Sequence, residues 1–87
     1  MFIILAYDVK VKRVQKVRKT VEKYLQPVQR SVFEGEITQR ALSKLRRELE
    51  GQIECDEDAV IIYCRQFTGE LVRMELGKRE SLHGYIL

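Results

Sequence analysis

Few side chains in this sequence are equipped for chemistry, and Asp8 is the first of them. It ends the apolar run Phe2-Ile3-Ile4-Leu5-Ala6-Tyr7, and beyond it come Lys10, Lys12, Arg13, Lys16, Arg18 and Lys19. A buried acid at the end of a strand, at the mouth of a basic helix, could lodge a divalent cation against a phosphate. The same position suits a structural role, since Asp ahead of an apolar-periodic run is a favoured helix N-cap. Other chemistries lack their parts. Acid–base and nucleophilic triads need a histidine, and the one here, His83, stands in a short apolar tail where packing or exposure accounts for it. No G-x-x-x-x-G-K or G-x-G-x-x-G phosphate loop occurs. Cys55 and Cys64 do not have zinc-ligand spacing, and one histidine cannot complete such a site. Asparagine is absent, which counts against an Arg–Asn site of the acylphosphatase type. The paired strand aromatics that bind RNA bases are not evident around Val28–Ile37 or Val60–Tyr63. That leaves one carboxylate, many bases and a metal. A lone carboxylate holds Mg²⁺ poorly, but a two-fold dimer can bring Asp8 from both chains together. Water activated by the ion would then attack a phosphodiester with no histidine needed.

The charge pattern points the same way. The net charge is only +3, but residues 10–30 hold Lys10, Lys12, Arg13, Lys16, Arg18, Lys19, Lys23 and Arg30 against Glu22 alone. Residues 54–58 hold Glu54, Asp56, Glu57 and Asp58 with no base. Such asymmetry suits an anionic partner on one face, nucleic acid first. On a helix, Lys12, Lys16, Lys19 and Lys23 form one stripe, which reads either as a phosphate-contacting row or as a solvated face. The bases come without aromatic base-readers, so backbone binding with little sequence preference is expected.

The elements that must position these residues follow from periodicity. Phe2–Val9 reads as a strand buried on both faces. Val11, Val14, Val17, Val21 and Leu25 recur at helical steps, giving a helix over 11–25 that Pro27 stops. Residues 28–37 read as one long strand, bent or broken at Arg30-Ser31 or Gly35. Thr38 is a plausible N-cap for a helix over 39–50, with Leu42, Leu45 and Leu49 on one face and Gly51 at its end. An acidic loop leads into a buried strand at 59–64, where Cys64 serves as a small hydrophobe. A turn at Thr68-Gly69-Glu70 precedes a half-exposed strand at 71–76. A charged loop at 77–81 and an apolar tail at 82–87 follow. The order β-α-β-α-β-β-β implies a single α+β domain over residues 1–87, both helices on one face of the sheet. The tail either pairs within its own sheet or covers an edge in a second copy. At 87 residues with no staple, oligomerisation is the expected source of extra burial. No export signal, membrane span or C-x-x-C pair is evident, so reduced thiols in the cytoplasm are expected.

Taken together, Tyr7-Asp8-Val9, the Lys–Arg helix, Gln29-Arg30-Ser31-Val32-Phe33-Glu34-Gly35-Glu36 and Val60-Ile61-Ile62-Tyr63 resemble CRISPR-associated protein two, over essentially the whole chain. The resemblance implies a ferredoxin-like antiparallel sheet and a homodimer whose C-terminal strand is added to the partner's sheet. It also implies a divalent ion such as Mg²⁺ near the dimer axis, approached by Asp8. Two roles follow: a metal-dependent endonuclease on single-stranded RNA or duplex DNA, and a bridge for the integrase subunit during spacer acquisition. A purely non-catalytic scaffold and a related ribonuclease toxin are the alternatives. By the same resemblance Lys12, Arg13, Lys78 and Arg79 hold the DNA backbone, and Tyr7 and Phe33 accompany activity, although a core role for Phe33 is simpler. Some members carry an arginine where this chain has Pro27, and Arg30 is the candidate substitute.

Overall fold

The computed structural model describes residues 1–66 and 68–77. Its elements are β1 (Phe2–Asp8), α1 (Val11–Glu22), β2 (Gln26–Gln29), β3 (Val32–Glu36), α2 (Gln39–Glu50), β4 (Ala59–Arg65) and β5 (Leu71–Gly77). The strands make one antiparallel sheet in the order β2-β3-β1-β4-β5. The first four strands and two helices have the ferredoxin-like arrangement, with β5 added beside β4.

Every second residue of β1 explains the layering. Ile3, Leu5 and Tyr7 join Phe33, Val60, Ile62 and Cys64 in a cluster with Val17 and Val21 of α1 and Leu42, Leu45 and Leu49 of α2. Both helices therefore cover the same face of the sheet. The other face has no helix among the described residues, so β1 is not buried on both faces: Ile4 is 40% exposed and Asp8 is exposed. β4 comes nearer the expectation, with Ala59, Val60, Ile61, Ile62 and Cys64 all buried.

Other boundaries differ from the sequence reading, β1 among them, which ends at Asp8 and not at Val9. α1 stops at Glu22; the N–H groups of Tyr24 and Leu25 still reach the Val21 carbonyl, and pairing of Gln26 with Glu34 then draws the chain into the sheet. Val11, the first helical residue, is 89% exposed and takes no part in the core, whereas Thr20 is buried and accepts a hydrogen bond from Gln52 Nε2 at 2.7 Å. The single strand expected over 28–37 is a hairpin broken at Arg30-Ser31. Pro27 lies within its outer strand, where an edge position and a register shift tolerate the missing N–H. α2 has the expected bounds, and Thr38 Oγ1 accepts from Ala41 N at 3.1 Å. β4 and β5 each run one residue past their expected ends. The charged loop beyond Gly77, with Lys78 and Arg79, and the tail at 82–87 with its expected cross-dimer strand lie outside the described residues.

Candidate active site

The antiparallel ladder brings four chain segments to one end of the sheet: the last residue of β1, the Arg30-Ser31 turn, the first residue of β4 and the last of β5. Asp8 stands there opposite Ala59. The acid expected to be buried is exposed, because it falls on the helix-free face of β1. Nor does it cap the helix. Lys10 is the N-cap of α1 and makes no side-chain capping bond. Among the described residues no ion pair engages Asp8. A cavity of about 430 Å³ lies at this end of the sheet, lined by Tyr7, Asp8, Gln15, Arg18, Arg30 and Ser31.

Tyr7 lines this cavity and packs against the buried Phe33. Their rings stack with centroids 6.1 Å apart and planes 23° from parallel. The Tyr7 hydroxyl donates to the Arg30 carbonyl at 3.3 Å, which ties the hairpin turn to β1. The Arg18 guanidinium lies over Phe33, 5.3 Å from the ring centroid, and its Nη1 donates to the same carbonyl at 2.9 Å. Arg18 Nε completes the arrangement on Glu22, one helical turn away, at 3.0 Å. Tyr7, Arg30 and Phe33, three of the residues singled out from sequence, thus meet at one place, and Asp8 follows Tyr7 at the end of β1 with its side chain on the other face. Arg18 joins the first three, although in the sequence it is only one base among many.

Arg13 is placed differently. Its Nε donates to Asp58 Oδ2 at 2.6 Å and its Nη2 to Asp58 Oδ1 at 3.1 Å and Glu57 Oε1 at 2.7 Å. Asp58 has no exposed surface and also accepts from the backbone N–H groups of Lys10 and Glu54, at 2.9 and 2.8 Å. Burial by itself would raise this carboxyl; the Arg13 guanidinium and the two backbone donors outweigh it and hold it at about 2. The hydrogen bonds to Asp58 and Glu57 raise Arg13 well above its ordinary value in return. Arg13 is thus a clamp between α1 and the loop before β4, and little of its charge is left for an external phosphate. The exposed cations of α1 are Lys12, Lys16 and Lys19, and Lys23 at its C-cap is paired with Glu48. A second basic groove, about 660 Å³, runs along Arg40, Lys44 and Arg47 of α2 beside Tyr24, at the opposite end of the sheet. It is the larger of the two, but no carboxylate lines it. Its three- and four-residue spacing was there to be read in the sequence.

Among the described residues no three His, Cys, Asp or Glu side chains stand together as metal ligands. One accessible carboxylate fits Mg²⁺ only as a single ligand beside water and phosphate oxygens, which is how that ion is commonly bound to phosphate substrates.

A family model described as CRISPR associated protein Cas2 matches residues 1–68. The chain belongs to the Cas2 family. A relative in Dictyoglomus turgidum, named CRISPR-associated endoribonuclease Cas2, is 41% identical over 86 residues, covering 94% of this chain and 99% of its own. One in Thermodesulfovibrio yellowstonii, with the same name and a number, is also 41% identical, covering 99% and 98%. Among solved structures, a Cas2 crystal structure aligns with a TM-score of 0.70 and 41% identity over 72% of this chain and 71% of that one. Streptococcus pyogenes Cas2 aligns with a TM-score of 0.69 and 30% identity over 74% and 84%. No helix among the described residues of this Cas2 chain is long and apolar enough to cross a membrane.

Proposed function

We propose that this Cas2 chain is an endonuclease of CRISPR adaptation that hydrolyses phosphodiesters at Asp8 with the help of a divalent cation. One observation carries the reading. The Asp8 carboxylate is exposed, caps no helix and joins no ion pair among the described residues, and the residue borders the same cavity as Arg18 and Arg30. A carboxylate with no structural task, beside cations that suit phosphate, is a candidate metal ligand. Mg²⁺, when bound, supplies charge neutralisation and water activation. The protein's own part is to hold Asp8 at the end of a rigid strand, beside the hairpin turn that carries Arg30. The name endoribonuclease carried by the relatives supports RNA as the substrate to try first, with duplex DNA beside it. A homodimer joining two Asp8 carboxylates would complete the ion's protein ligands.

The test compares wild type with Asp8→Asn on labelled single-stranded RNA and duplex DNA, with Mg²⁺ and with chelator. Cleavage should need both Asp8 and metal, while the variant still binds and unfolds at the wild-type temperature. Equal cleavage by Asp8→Asn would remove the site.

The exposed row Lys12, Lys16 and Lys19 supports a second role for the same dimer, gripping duplex DNA and bridging the integrase subunit in spacer acquisition. Changing all three to Gln should lower the log–log salt slope of duplex binding by about 2.7 for each protomer that touches the duplex, the value for three phosphate contacts. An unchanged slope would take that face out of DNA binding.

A further inference from the structure

We propose that the groove beside α2 is a separate nucleic-acid site, which seats the backbone of a single strand on Arg40, Lys44 and Arg47. It opens at the end of the sheet away from Asp8 and shares no lining residue with the Asp8 cavity. Binding there does not depend on hydrolysis at Asp8. The three cations recur at four- and three-residue steps, on the side of α2 away from the buried Leu42, Leu45 and Leu49. From the first to the last the helix rises by about 10 Å, enough to follow a few successive phosphates.

Charge and shape favour that occupant. All three cations are exposed, and among the described residues none makes an ion pair. Glu48, next to Arg47 in sequence, is held by Lys23 Nζ at 2.6 Å and by the Tyr24 hydroxyl, and Lys44 adds only a weaker attraction at longer range. In the free chain the row is unfavourable. Like charges three and four residues apart repel, and Arg40 opposes the dipole of α2 from its first turn, which contains no acid. A polyanion laid along the row relieves both. The far wall of the groove is Tyr24, half-buried and fixed by its bond to Glu48. A line of bases beside an aromatic side chain is what sites that take single strands without reading sequence are built from. A duplex keeps its bases stacked inside and has none to offer Tyr24. An acidic peptide finds no apolar anchor: among the described residues the exposed large hydrophobics are Ile4, Val11, Val28 and Leu71, and none lines the groove.

The test measures binding of a labelled single strand of about eight nucleotides, and of a duplex, in chelator over a series of salt concentrations. Changing Arg40, Lys44 and Arg47 together to Gln should weaken single-strand binding at low salt by more than about tenfold. It should also lower the log–log slope by about 2.1 for each groove occupied, the value of three phosphate contacts on a single strand. Tyr24→Leu should weaken binding several-fold with the slope retained, and Tyr24→Phe, which keeps the ring, should recover most of that loss. A triple variant that keeps its helical circular dichroism and binds the strand with unchanged slope overturns the proposal. If the triple variant does not fold, Lys44→Gln decides alone: a slope lower by about 0.7 supports the site and an unchanged one overturns it. A slope that falls for the duplex only, or polyglutamate that displaces the strand at equal charge concentration, overturns the choice of occupant.

Discussion

Asp58 has no exposed surface where the start of α1 meets the first residue of β4, yet its carboxyl stays ionised down to about pH 2. Burial opposes that charge, and the Arg13 fork with two backbone N–H groups overcomes it. One of those donors is the N–H of Lys10, two residues after Asp8, so the clamp fixes the turn that carries the candidate catalytic carboxylate. Its linkage to pH has a definite sign. A carboxyl held below its ordinary value of roughly 4 contributes stability that is complete above that value and is lost as pH falls through about 2. The thermal midpoint of the wild type should therefore fall between about pH 4 and pH 2. Asp58→Asn should be less stable at neutral pH and flatter across that window. Asp58→Ala, which strands Arg13 at a partly buried site, should cost about 3–5 kcal/mol. Thermal unfolding followed by circular dichroism at several pH values checks both, and a variant curve parallel to the wild type would dismiss the clamp.

At the level of elements, the chain announces some parts of itself and conceals others. α2 is legible because Thr38, three leucines at helical spacing and Gly51 all agree. The β2–β3 hairpin is concealed, since Gln26, Pro27 and Gln29 do not look like a strand; they form one only because β3 offers an edge. The exposure of β1 is concealed too. An apolar run reads alike whether helices cover one sheet face or both. Within the site, Asp8 is legible from its place after the strand, and its freedom from capping is not, because Lys10 and Asp58 settle that across the fold. The pairing of Arg13 with an acid 45 positions away leaves no local trace. Gly77 belongs with these hidden constraints. It ends β5 with φ +82°, and a Cβ there would lie 2.2 Å from the Asp58 carbonyl oxygen. Gly77→Ala combines left-handed strain with that clash, so it should destabilise by more than about 1 kcal/mol. Denaturant unfolding measures it, and a midpoint equal to that of the wild type would show that the β5 end can shift away from the clamp at no cost.

For the molecule as a whole, the unanswered need of the site is a second carboxylate. The sheet has helices on one face only, and its other face presents Ile4 and Leu71 with exposures of 40% and 63%, on the same side as Asp8. In a chain of 87 residues with a modest core, such a face favours a second copy, and a two-fold axis near Asp8 would join the two acids at one ion. That arrangement can be told from two independent sites by mixing. Wild type and Asp8→Asn are co-refolded in equal amounts so that chains pair at random. If one ion needs both carboxylates, only dimers with two wild-type chains cleave, and activity falls to about a quarter of that of an all-wild-type sample. If each Asp8 works alone, activity falls only to about half. Sedimentation must first give the mass of two chains. A dimer whose activity falls in proportion to the wild-type fraction would mean that each ion has a single protein carboxylate, and would place the rest of its ligands on the nucleic acid and water.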